Sequence, residues 1–109
     1  MNAPLHHELP TPLLDAAQAR ARIDAQWDGD ILRQLTDYIA IPAKSPVFDP
    51  DWAAHGFIDT VVRHAADWVQ AQKVPGLTLE VVRLPGRTPV IFFEIPATRA
   101  GSTQTALLY

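Results

Sequence analysis

Apolar and polar residues alternate at helical spacing over most of the first 72 positions. Residues 14–26 are rich in Ala, Arg and Gln, which favour helix. Asp28-Gly29-Asp30 interrupts this pattern, and either aspartate is a candidate cap for a new helix. Pro42 is expected to end the helical region, because proline has no amide donor. Its apolar stripe comprises Ile31, Leu32, Leu35, Tyr38 and Ile39.

A second amphipathic helix is predicted over residues 50–72. Three prolines in residues 42–50 indicate a stiff, extended connection, and Asp49-Pro50 is typical of a helix start. Asp59 and Arg63 are four residues apart and are expected to form an exposed ion pair. Pro75-Gly76 closes the helix. Its predicted apolar face comprises Phe57, Ile58, Val61, Val62, Ala65, Trp68 and Val69.

The remaining pattern has the period of β-strands. Residues 77–83 and 88–95 are rich in β-branched and aromatic residues, and Pro85-Gly86-Arg87 is a turn between them. Because the connection is short, an antiparallel hairpin is expected. After a polar loop, Thr105–Tyr109 begins a third strand. The predicted fold class is therefore α/β: two N-terminal helices, a β-hairpin and the start of a third strand, with helices layered on one side of a sheet.

Length and composition allow one globular domain. The chain has 109 residues, of which 48% are hydrophobic and 19% charged. We expect a flexible leader over residues 1–13, which contains three prolines and the pair His6-His7, and one domain over residues 14–109. The nine basic residues are scattered and the net charge is −3, which argues against nucleic acid as a partner.

Cysteine content and hydropathy bear on the compartment. The chain has no cysteine, which excludes a disulfide framework and a thiolate zinc site and fits the cytoplasm. No apolar stretch approaches the roughly 18 residues that a membrane helix needs, and the N-terminus lacks the pattern of a signal peptide. A cytoplasmic protein without a membrane segment is expected.

The apolar run Ala106–Tyr109 is typical of a strand buried on both faces of a sheet. The predicted helices supply one covering layer, and nothing in the chain supplies the other. Leaving four large apolar side chains in water would cost roughly 6–12 kcal/mol, which is comparable to the stability of a whole domain. Either the chain is part of a larger sandwich, or it is a small domain that ends in a strand or that dimerises through that face.

Candidate chemistry inside the chain is weak. His55 and His64 are nine residues apart, about 180° around one predicted helix, and cannot share a metal; Asp51 lies four residues before His55 and could hydrogen-bond to it. Ser45 and Ser102 lack a nucleophile-elbow context. We therefore assign no catalytic, cofactor-binding or metal-binding residue. The glycines Gly76, Gly86 and Gly101 are isolated and form no phosphate-binding loop, and nothing marks the strand carboxylates Glu80 and Glu94 as an acid/base pair. We interpret the tryptophans Trp27, Trp52 and Trp68 as core and helix-contact residues.

Four segments of the chain have a distinctive sequence. They are Leu35-Thr-Asp-Tyr-Ile-Ala-Ile-Pro-Ala-Lys-Ser-Pro-Val-Phe-Asp49, Asp51-Trp52, Arg87-Thr-Pro-Val90 and Thr105-Ala-Leu-Leu-Tyr109. Together they resemble the start of metallopeptidase family twenty, the di-zinc family of carnosinase-like dipeptidases, glutamate carboxypeptidases, aminoacylases, acetylornithine deacetylase and succinyl-diaminopimelate desuccinylase. The resemblance spans about residues 20–109, and its most specific parts are the Ile-Pro-Ala-Lys-Ser-Pro loop and the Leu-Leu-Tyr end.

The resemblance implies an α/β/α sandwich whose full-length enzyme binds two zinc ions and cleaves peptide or amide bonds of peptides or N-acyl amino acids. It also implies a homodimer. In such enzymes the strand that resembles Ala106–Tyr109 leads into a Gly-His-x-Asp motif, whose His binds zinc. It thus implies that this chain stops before the first metal ligand, holds no zinc and is inactive alone. The alternative is a non-enzymatic α/β module that binds a protein partner through its exposed sheet face.

Overall fold

A computed structural model describes residues 14–109 of the chain. The expectations for the leader, residues 1–13, and for His6 and His7 lie outside the described residues. The chain divides into two units, Met1–Asp37 and Tyr38–Tyr109. Each unit has its own local architecture.

Helix α1, Ala16–Gln26, is the first element of the first unit. It begins at Asp15, whose carboxylate accepts hydrogen bonds from the amides of Ala17 and Gln18 at 2.9 and 3.1 Å. These bonds satisfy amides that have no partner inside the first helical turn. Asp15 is thus the cap of the first helical segment that the composition of residues 14–26 predicts.

The predicted interruption at Asp28-Gly29-Asp30 is present as a change in helix type, but the predicted cap of a new helix there is wrong. Residues Trp27–Ile31 form a π-helical turn, and α2, Leu32–Ala40, follows directly, with Leu32 N–H donating to the Trp27 carbonyl. Gln26 and Leu32 both have right-handed helical dihedrals, so no new helix start exists for an aspartate to cap. The Asp30 carboxylate instead accepts from Arg33 at 2.8 Å and from Gln34 at 3.2 Å.

The single helix predicted over residues 50–72 is in fact two helices. They are α3, Trp52–His55, and α4, Phe57–Ala71. Gly56 separates them with φ +72°, a left-handed conformation that glycine adopts without a Cβ clash. The predicted cap at Asp49 is also wrong, because Asp51 occupies the cap position and the Asp49 carboxylate contacts His55 instead.

The predicted hairpin is confirmed, and the mixed α/β class holds with it. Strands β1, Thr78–Val82, and β2, Val90–Glu94, are antiparallel, with Thr78 opposite Glu94 and Val82 opposite Val90. The predicted third strand is wrong in this structure: residues 105–109 have no strand pairing, and the sheet of the described residues has two strands. A β-strand exists through hydrogen bonds to a neighbour, and a run of β-favouring residues alone does not supply one.

The core of the second unit lies where α4 packs on the hairpin. Among the described residues, the buried hydrophobic residues are Val62 and Ala66, with 8% and 7% of their surface exposed. Val62 belongs to the predicted apolar face of the helix, whereas Ala66 was not included in it. The other residues predicted for that face are half-buried or more exposed, so the helix uses one border of its apolar stripe against the hairpin.

Lys73, just after α4, should be replaceable with a gain in stability. Its φ is +50°, which costs an L-residue with a Cβ roughly 1 kcal/mol. Lys73→Gly is therefore expected to raise the free energy of unfolding by about 0.5–1 kcal/mol in urea titrations. Lys73→Ala is the control, because it removes the charge and keeps the strain. Equal effects of the two changes would show that the backbone conformation is not the cause.

Candidate functional site

The second unit has a groove between α4 and β1. Its volume is about 390 Å³. Leu79 and Val81 form the strand side of its floor, because alternate residues of a strand share one face, and Val62 and Ala66 form the helix side. The rim carries the polar lining residues Asp59, Arg63, Asp67, Gln70 and Arg83.

Charges of both signs line this rim. Arg83, which follows β1, donates a hydrogen bond to the carboxylate of Asp59 on α4. The predicted partner of Asp59 was Arg63, and that prediction is wrong: the hairpin brings Arg83 to Asp59 from 24 positions away. With two aspartates and two arginines, the rim has no overall preference for an anionic or a cationic ligand.

The Asp59–Arg83 pair should contribute little to stability. Its side chains are 50% and 57% exposed, so water and salt screen their attraction. A double-mutant cycle with Asp59→Asn and Arg83→Gln is expected to give a coupling free energy of about 0.5 kcal/mol or less, falling further at 1 M salt. A coupling above about 1.5 kcal/mol, insensitive to salt, would contradict this assignment.

A second polar contact joins the loop before α3 to the end of that helix. Nδ1 of His55 lies 2.7 Å from Oδ2 of Asp49. The Asp49 hydrogen bond and then its negative charge raise the pKa of His55 above 6.5; Asp51 adds to this and partial burial opposes it. The ring of Phe57 is 6.0 Å away, centroid to centroid. Asp51 is the hydrogen-bond partner that helical spacing suggests for His55, but the observed partner is Asp49.

The other residues weighed as candidates do not converge. The Ser45 carbonyl accepts the amides of Phe48 and Asp49, and Ser102 N–H donates to the Arg99 carbonyl, so both serines lie in turns. Glu80 and Glu94 share one hairpin face, opposite Phe92 and Thr78 respectively. Trp52 and Trp68 are half-buried, whereas Trp27 is 46% exposed and is not a core residue.

Metal-ligating side chains are dispersed in the part of the chain that the structure describes. Within residues 14–109 no group of three or more His, Asp or Glu side chains is placed so that it could hold a metal ion. The described residues therefore do not fit a zinc centre, and no step of hydrolysis can be derived from them. The Asp49–His55 contact, like the Asp59–Arg83 pair, is not predicted by the sequence. A spacing of six residues around a proline loop gives no local signal for it.

Comparison with family models and with curated proteins gives no match. Among the helices of the described residues, none has the length and hydropathy required to cross a lipid bilayer.

Proposed function

We propose that this chain is the N-terminal part of the catalytic domain of a di-zinc peptidase or amidohydrolase, and that it serves there as a scaffold. The proposal starts from the resemblance of residues 20–109 to metallopeptidase family twenty. In the proposed enzyme, the zinc ligands and the catalytic carboxylates are residues after Tyr109. Its substrates are peptides or N-acyl amino acids, and it is located in the cytoplasm. The full-length enzyme would be a dimer.

The observation that supports a scaffolding role is the uncovered face of the hairpin. Val90 and Phe92 lie on the face opposite Leu79 and Val81, and they are 60% and 51% exposed. Complete burial of one such side chain contributes roughly 1.5–3 kcal/mol. Among the described residues, two hydrophobic residues are buried. A second layer over this face, as in a larger sandwich, would therefore add substantially to the stability of the fold.

Reading the coding DNA on the 3′ side of the Tyr109 codon tests the proposal. We expect an open reading frame that continues into Gly-His-x-Asp or a close variant. The longer protein, loaded with zinc, should hydrolyse dipeptides or N-acyl amino acids, and a chelator should abolish this turnover. The 109-residue chain is the matched control and should show none. A stop codon in a verified read, with no continuation nearby, would argue strongly against the proposal.

The same exposed face favours a second candidate, a non-enzymatic module that binds a protein partner there. This candidate predicts a monodisperse 109-residue protein that unfolds in one sharp transition, with a dimer as the simplest partnered form. The double variant Val90→Thr/Phe92→Thr should then sediment as a monomer. The peptidase scaffold predicts instead a loosely packed chain that aggregates or binds a hydrophobic dye.

A further inference from the structure

Asp49 makes three hydrogen bonds, through its amide, its carbonyl and its carboxylate. Its amide donates to the Ser45 carbonyl at 3.0 Å, and its own carbonyl accepts the Trp52 amide at 3.1 Å. Its carboxylate makes the third, 2.7 Å from the His55 imidazole. The side chain of Asp49 is 14% exposed and that of His55 49%. Of the three contacts, the third alone involves a group that titrates near neutral pH.

These contacts hold a tight turn over residues 45–49. The Phe48 amide also donates to the Ser45 carbonyl, at 2.9 Å, so this one carbonyl accepts two amides of the turn. Val47 and Phe48 form the tip of the turn, where they are 85% and 78% exposed. An exposed apolar tip is thus connected through Asp49 directly to a histidine.

We propose that the Asp49–His55 contact is a proton-controlled clasp that fixes the turn of residues 45–49, with its apolar tip, to the end of α3. With a protonated imidazole the contact is a charge-assisted hydrogen bond, which is shorter and stronger than one between neutral groups. With a neutral imidazole the bond survives in one tautomer alone and loses the charge. The clasp does not depend on the peptidase proposal, because it uses groups of this chain only.

The charges around His55 set the direction of the response. Asp49 faces the ring from the loop and Asp51 from the start of α3, whereas α4 contributes the uncharged ring of Phe57. The pKa of His55 is raised above 6.5 in the folded chain. The stabilisation is therefore fully present below pH 6.5 and is lost as the pH rises through the higher folded pKa. The turn should be held firmly in mild acid and loosened above neutrality.

An NMR titration of His55 tests the clasp, in the 109-residue protein where it folds alone and otherwise in the longer chain. We expect the His55 ring to titrate at a higher midpoint than in Asp49→Asn, and the amides of Phe48 and Asp49 to follow the same midpoint. Amide order parameters at Val47 and Phe48 should fall above that midpoint. In His55→Gln, which keeps a donor that cannot titrate, these amides should lose the transition.

Two further variants separate the clasp from general effects of charge. Asp51→Asn should lower the His55 midpoint less than Asp49→Asn, because Asp51 makes the smaller contribution. His64→Gln, which changes a histidine of α4, should leave the transition at Phe48 and Asp49 unchanged. Equal His55 midpoints in the wild-type protein and Asp49→Asn, including the case in which the chain forms no ordered turn, would overturn the proposal. So would a transition at Phe48 that persists in His55→Gln.

Discussion

Val62→Asp is expected to destabilise residues 38–109 by about 3 kcal/mol or more. Val62 lies between α4 and the hairpin and is 8% exposed, in a neighbourhood whose apolar members are Ala66, Leu79 and Val81. A carboxylate at this position must be buried without a partner or must separate the helix from the strands. Urea unfolding, followed by circular dichroism and by the fluorescence of Trp52 and Trp68, measures the loss.

Val47→Asp is the matched control for this change. It makes the same substitution at a residue that is 85% exposed, so the free energy of unfolding should change by about 0.5 kcal/mol or less. A similar small effect for Val62→Asp would mean that α4 does not form its core contact with the hairpin in solution. A large effect at both positions would indicate that the tip of the turn is buried in the folded protein.

Gly76→Ala is expected to lower the free energy of unfolding by about 2–3 kcal/mol. Gly76 has φ +76°, which costs an L-residue roughly 1–2 kcal/mol. A Cβ on Gly76 would also lie 3.2 Å from both Cγ and Cδ of Pro96. Because these atoms belong to a ring fused to the backbone, the contact cannot be relieved by a rotamer change, and the ends of the hairpin must move apart.

Gly86→Ala separates the two causes. Gly86 has φ +69°, but a Cβ there would meet no atom within 4 Å. It should therefore show the conformational cost alone, about 1–2 kcal/mol, and Gly76→Ala should exceed it. The same urea titration measures both variants. Equal losses would show that the approach of Gly76 to Pro96 contributes nothing to the stability of the hairpin.

Elements specified by neighbouring residues could be predicted from the sequence. The β-favouring residues on both sides of Pro85-Gly86-Arg87 predict the hairpin. In the observed register, Val82 pairs with Val90 across that turn. Thr105–Tyr109 has similar composition, but a longer connection with a turn at Arg99–Ser102 separates it from β2, and it is unpaired here. Strand composition thus indicated where strands can form, and a short connection determined which of them paired.

The helix boundaries show where local rules reach their limit. The pattern predicts a new helix start at Gly29 and its two flanking aspartates, whereas the helix continues through them in a π turn. It predicts one continuous helix through Gly56, which instead takes a left-handed conformation that separates two helices. Both residues are glycine, so the sequence gives each of them the same freedom. The surrounding hydrogen bonds determine which conformation is used, and a wheel projection does not contain them.

Polar contacts were the least predictable feature. Asp59 contacts an arginine 24 positions away, and His55 contacts an aspartate six positions before it. Sequence reasoning chose the partners at helical spacing, Arg63 and Asp51, because four residues separate neighbours on one helix face. The observed partners come from a strand and from a loop, so their proximity depends on the path of the chain between elements.

The π turn at Trp27–Ile31 changes how the helical side chains of the first unit should be compared. A turn with one additional residue rotates the directions of all later side chains around the helix axis. The rotation is about 100° relative to an uninterrupted α-helix. Ile23 before the turn and Leu35 after it therefore do not point in the directions that their separation in sequence implies. Removing one residue within the turn would restore the phase while leaving both flanking helices intact. This is the position at which that helical segment can best absorb a change in length.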